Sequence, residues 1–174
     1  MKKKSTSVPF GLETQHGQGV VGNLLLIPVV FLLLALGFFE GRKLYWDYRA
    51  REMCEKDGGV KIFDQVRLKK SDIDILGRID GKISVPSKDL ASAKSAVFSV
   101  DQVFILNESY PKVWRQVTEI IRRSDERVVA RSITYSRVGG DFPSPAHSSS
   151  FACPDASEIV SERERLFIIE GDKK

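Results

Sequence analysis

The sequence predicts an α+β fold, with a small, mostly antiparallel β domain carried on a single N-terminal transmembrane helix that continues as a short stalk. Three observations predict it. Val20 to Phe39 contains no charge, and Asn23 is its only strongly polar side chain. A 20-residue helix spans about 30 Å, the thickness of a bilayer's hydrocarbon core. Past Gly58-Gly59 the apolar period shortens toward two, in β-branched runs separated by glycines and charged turns. About 135 residues follow the apolar run, enough for one hydrophobic core and too few for two.

Taken in order, residues 1–19 open with Lys2, Lys3 and Lys4 and turn Ser/Thr/Gly/Gln-rich without a hydrophobic period. They read as a disordered tail whose lysines orient the chain at a membrane. Residues 20–39 read as a retained anchor rather than a cleaved signal. The tail before them is long, and Phe38 and Phe39 follow Ala35-Leu36-Gly37 without a break. Residues 40–59 read as a juxtamembrane helical stalk. Tyr45, Trp46 and Tyr48 sit where an aromatic interface belt belongs, and Arg42 and Lys43 are placed to reach headgroups. Asp47 with Arg51, and Glu52 with Lys56, are acid-before-base pairs four apart, which suits a helix. Gly58-Gly59 stops it.

Residues 60–174 form the strand-rich globular domain. Val60–Leu68 reads as a strand, and Lys69–Lys82 as a charged connection with turn signals at Gly77 and Asp80-Gly81. Ser87 is placed to cap a brief helix over Lys88–Ser95, and Ala96–Leu106 returns to strand. Lys112–Arg123 fits two templates: Val113, Val117, Ile120 and Ile121 suit a helical face, while its Val, Thr, Ile and Trp content suits a strand. A β-hairpin with Val128–Val138, turning at Ser124–Arg127, is the preferred reading. Gly139–Pro154 reads as loop, Ser157–Glu164 as a helical turn and Arg165–Glu170 as a last strand.

Formal net charge is +4, and residues 40–174 hold 24 Lys/Arg against 22 Asp/Glu. A domain that neutralises phosphates needs a cationic excess on one face. The near balance therefore excludes nucleic acid as the expected partner, despite a pI of about 9.1. No cofactor motif is present. The expected partners are the lipid bilayer and an envelope protein.

Two cysteines remain, Cys54 and Cys153, and neither lies in a C-x-x-C motif. An even pair behind a membrane-targeting segment invites a disulfide, the alternative being two unrelated thiols. Closing a loop of about 100 residues contributes at most about 4–5 kcal/mol in the chain-entropy account. Arg42, Lys43, Arg49 and Arg51 favour a cytoplasmic domain by the charge rule, whereas a disulfide favours an oxidising compartment. The resulting expectation is a single-pass protein of the bacterial inner membrane with a periplasmic domain.

Four stretches together carry a resemblance: Cys54-x-x-Asp57-Gly58-Gly59, Arg122-Arg123-Ser124-Asp125, Ser132 through Arg137 to Gly139-Gly140-Asp141, and Ser150-Phe151-x-Cys153-Pro154. Over Cys54–Pro154 the chain resembles a family of small uncharacterised bacterial proteins with one N-terminal hydrophobic segment. The resemblance implies architecture alone: a hydrophobic N-terminus, a strand-rich domain and paired cysteines.

Candidate chemistry is thin. Gly139-Gly140-Asp141-Phe142 matches the start of a diguanylate cyclase signature, but Phe142 and Pro143 stand where that site needs an acid. A strand end, with Asp141 capping the turn, explains it better. His147, with a nearby Ser or Asp, is the one constellation that suits an envelope hydrolase. One His and two Cys leave a zinc site short of ligands. Arg115, Arg122, Arg123, Arg127, Arg131 and Arg137 lie along the proposed hairpin among Glu119, Asp125 and Glu126, so cross-strand pairs on a solvated face account for them. The functional expectation is a membrane-anchored, non-enzymatic binding or accessory domain of the envelope. Such a domain needs a strand edge or apolar patch for contact.

Overall fold

The computed structural model describes residues 18–79, 81–142 and 148–170, with side chains from Leu26 onward. The 1–17 part of the predicted tail lies outside the described residues. The chain divides into two units, Met1–Gly37 and Phe38–Lys174. Helix α1 runs Gln18–Asp57 and contributes residues to both.

In the first unit the helix exposes apolar side chains, among them Leu26, Phe31, Leu33 and Leu34. The expected transmembrane helix is corrected here: among the described residues, no helix is long and apolar enough to cross a membrane. The fold is α+β with a sheet-rich antiparallel domain.

The second unit is built on one antiparallel sheet. Its strands are β1 (Gly59–Ile62), β5 (Val97–Asn107), β6 (Lys112–Arg122), β7 (Arg127–Val138) and β8 (Ser150–Cys153). Between β1 and β5 lie β2 (Val66–Leu68), α2 (Lys70–Leu76) and the short pair β3 (Arg78–Ile79) and β4 (Lys82–Ile83). After β8 come α3 (Ala156–Glu164) and β9 (Phe167–Ile169), which pairs in parallel with β2. Strand β7 is central. Along one edge it pairs with β6 from Arg127 to Val138. Its other edge is divided, β1 taking Ala130–Ile133 and β8 taking Tyr135–Val138. Segment 112–122 is therefore strand, as its β-branched content favours over its helical spacing.

The sheet buries both faces. On one, Val117, Ile133 and Tyr135 pack with Ala50 and Cys54 of α1. On the other, Val97, Ile120 and Ala130 pack with Val66, Leu68, Ile73, Leu76 and Leu166. Residues Phe38–Asp57 are thus a layer of this unit. Fully burying Leu68, Ile120 or Leu166 contributes about 1.5–3 kcal/mol each. Helix α1 stops at Gly58, where a Cβ would lie 2.6 Å from the Cys54 carbonyl oxygen and 2.8 Å from its sulfur.

Four local readings change. The strand expected over Val60–Leu68 divides into β1 and β2, which join different sheets, and the loop expected over Gly139–Pro154 contains β8. The charged connection contains α2, which the sequence reading passed over because only Ile73 and Leu76 mark its buried face. The Asp72 carboxylate accepts the Lys69 N–H (2.9 Å) and holds its start. Residues 88–95 form turns rather than a helix: the Lys88 N–H donates to Ser99 O of β5, and the Leu90 and Ala91 N–H groups turn back to the Ser87 carbonyl.

Candidate functional site

Cys54 and Cys153 form a disulfide between the last turn of α1 and β8, 99 residues apart in sequence. It belongs to a row of contacts along one face of α1. Residues 39, 43, 47, 50, 54 and 57 recur every three or four positions, the spacing of one helix face. Phe39 meets Phe142 edge-on at 5.7 Å, and Lys43 Nζ lies 3.1 Å from Asp141 Oδ1. Asp47 accepts from Arg137 Nε (2.5 Å), and Ala50 is fully buried. Asp57 accepts from Tyr135 Oη (2.7 Å) and Arg115 Nη2 (2.9 Å).

The groups in this row are committed to one another. Arg137 has 3% of its side chain exposed, and its Nη1 donates to the Gly139 carbonyl and to Ser149. Asp141 also accepts the Ser149 N–H (2.6 Å). Hydrogen bonds from Ser149, reinforced by Lys43, hold its carboxyl down at about 2. The pKa of Asp57 is lowered by the Tyr135 and Arg115 hydrogen bonds, against the raising effect of burial. The glycine-rich stretch 139–141 is therefore a structural junction. Of the expected cross-strand pairs, Arg131 meets Glu119 (2.7 Å); Arg122 instead bonds Asp125 within the turn and Asp64, and Arg137 is buried.

The residues read as a membrane interface divide. Lys43 is bound to Glu40 and Asp141, and Arg42 lies over the Phe38 ring and donates to Ser109 Oγ (3.3 Å). Tyr45 meets Trp46 edge-on at 5.5 Å, and Tyr45 and Tyr48 are exposed. His147 lies outside the described residues, and with it the hydrolase constellation. Among the described residues, no group of three His, Cys, Asp or Glu side chains gathers as a metal site.

The feature with room for a partner is the outer edge of β5, the last strand on its side of the sheet. Near its start this edge is closed: Ser99 N–H donates to Pro86 O and Lys88 N–H to Ser99 O, both at 2.8 Å. Backbone groups alternate along a strand with period two, so the N–H and C=O of Asp101, Val103 and Ile105 point the same way as those of Ser99. Those six groups have no backbone partner among the described residues. The side chains along this stretch are open as well, with Val103 55%, Phe104 47%, Ile105 57% and Leu106 38% exposed.

The edge is held in place from within. The Asp101 carboxylate accepts from Thr118 Oγ1 (2.5 Å) and Gln116 Nε2 (3.4 Å) on β6. The Arg115 guanidinium lies 5.7 Å over Phe104, and the register shifts between Ile105 and Asn107. Asn107 Nδ2 donates to the Ser109 and Pro111 carbonyls, which ties the turn into β6. Native edges are usually guarded by Lys, Pro or inward charges. None of these stands between Gln102 and Leu106. The sequence reading identified the strand and missed its open side. The one available signal was the unalternated run Val103–Leu106, which fits burial on both faces equally well.

Comparison with known proteins returned nothing: no family model, no curated protein and no solved structure matches this chain.

Proposed function

We propose that this chain is a non-enzymatic binding domain that captures an extended segment of a partner protein by adding it as a strand beside β5. The observation that carries this reading is the coincidence of open backbone groups at Asp101, Val103 and Ile105 with exposed Val103, Phe104, Ile105 and Leu106. Strand addition draws affinity from main-chain hydrogen bonds and specificity from alternate side chains. Each such bond contributes about 0.5–1.5 kcal/mol net. The commitment of the titratable groups beside the disulfide to structural contacts supports a binding role over a catalytic one. The Cys54–Cys153 bond supports an oxidising compartment, the periplasm of a bacterial envelope, as the place where the domain works.

The test places a photo-crosslinking amino acid at Ile105 in the full chain, in cells that encode it, with and without Val103→Pro. Proline at Val103 removes an outward N–H and leaves the β6 ladder intact. A discrete protein adduct that falls at least tenfold with Val103→Pro is the expected result. An adduct indifferent to the proline, or no adduct, overturns the proposal. The compartment is checked separately: in unreduced cells both cysteines are expected to resist maleimide labelling, and free thiols there refute the placement.

A further inference from the structure

A second feature lies on the sheet face away from α1. Helix α3 and the β3–β4 hairpin, with the segment just after it, enclose a cleft of about 480 Å³. Its walls are mostly apolar, formed by Ile79, Ile83, Val85, Ala156 and Val160, with the opposite charges of Lys82 and Glu164 also on the lining. That volume lies within the range of sites for small organic ligands, about 300–1,000 Å³.

Arg163 also lines this cleft, and its charge is poorly matched. Its Nη2 donates to Ser132 Oγ (2.7 Å) on β7. Its Nε is buried without an acceptor, and Nη1 has none either among the described residues. No carboxylate among the described residues lies within 4.0 Å of this guanidinium, in contrast to Arg137 or Arg115. Burial lowers its pKa, and the charge of Asp101 acts the other way. Arg163 is half-buried, so its charge without an ionic partner carries part of the desolvation cost of a buried ion, and a guanidinium satisfies a carboxylate through paired N–H donors.

We infer that this cleft binds a carboxylate carried on an apolar chain, the head meeting Arg163 and the chain lying against Ile83, Val85 and Val160. Apolar walls alone accept any hydrophobe; the guanidinium selects an anion. The inference rests on observations separate from the β5 edge, and either reading can fail without the other.

The experiment uses the full chain and a photoreactive decanoic acid below its micelle concentration, with the labelled peptides mapped by mass spectrometry. Labelling is expected within residues 79–85 and 156–164. Excess decanoate should displace it at least tenfold better than decanol. Arg163→Gln should reduce labelling in those peptides at least tenfold. Val160→Trp, which fills the cleft from a partly exposed position and leaves the guanidinium untouched, should abolish it while the circular dichroism spectrum and Tm stay unchanged. Equal displacement by decanol, labelling that survives Val160→Trp, or labelling confined to other parts of the chain overturns the inference.

Discussion

Removing the Asp47 carboxylate should strand the Arg137 guanidinium. Arg137 has only 3% of its side chain exposed, and its Nε and Nη2 donate to the two Asp47 oxygens while Nη1 donates to Gly139 and Ser149. Asp47→Ala leaves a buried charge facing neutral acceptors only, and breaking such a pair costs about 3–5 kcal/mol. Asp47→Asn keeps an acceptor and loses the ionic component, so its cost should be smaller, about 1.5–3 kcal/mol. Replacing both groups by apolar side chains of similar volume, Asp47→Leu with Arg137→Met, should cost less than Asp47→Ala, because both desolvation costs vanish and what remains is about 1–3 kcal/mol for the Gly139 carbonyl left without its donor. Urea unfolding of the oxidised full chain reads the differences. With a slope of about 2 kcal/mol per molar, a loss of 3–5 kcal/mol moves the midpoint down by about 1.5–2.5 M. The slope should stay constant across the series. The reasoning fails if Asp47→Ala costs less than about 1 kcal/mol, or if the double variant is as unstable as Asp47→Ala.

The β5 assignment predicts opposite outcomes at neighbouring positions: Val103→Pro should leave stability nearly unchanged, whereas Phe104→Pro, which removes an N–H facing β6, should cost about 3 kcal/mol or more by thermal unfolding. Reducing the disulfide, or Cys54→Ser with Cys153→Ser, should lower stability by as much as about 4–5 kcal/mol, and hydrogen exchange should rise first in residues 38–57. Asp141 is held at about 2 against an ordinary value of 3.8. Because the folded value is the lower one, its stabilisation is complete above the unfolded value and is lost as pH falls from about 4 to 2. Asp141→Asn should therefore flatten that part of a Tm–pH profile, and an unchanged acid limb would refute the Lys43–Asp141–Ser149 arrangement.

Much of the domain was legible because short-range chemistry fixes it. The density of Val, Ile and Thr in 112–122 and 127–138 made strands the better reading despite a helix-compatible spacing, and these strands do pair. The two cysteines were legible as a candidate pair from their number alone. Other features left little local trace. Helix α2 is seven residues long, with only Ile73 and Leu76 facing the core. A capped helix at 88–95 fits Ser87 by its local sequence, but Ser87 bridges to Ser99 and the Lys88 N–H is taken by the same β5 residue. Arg137 looked like its neighbours on a solvated hairpin. Its burial depends on Asp47, 90 residues away, lying across the sheet.

By itself, then, the sequence determined the long strands of the sheet and the glycines that end α1 and β7, because periodicity and backbone preference act over a few residues. Only the tertiary structure decided which way each element faces. It placed one face of α1 on the sheet, turned Arg137 inward, joined Cys54 to Cys153, and left the Asp101–Leu106 edge of β5 and the cleft at Arg163 uncovered. Burial and openness are properties of what packs from elsewhere in the chain, and residues far apart in sequence carry no local mark of meeting.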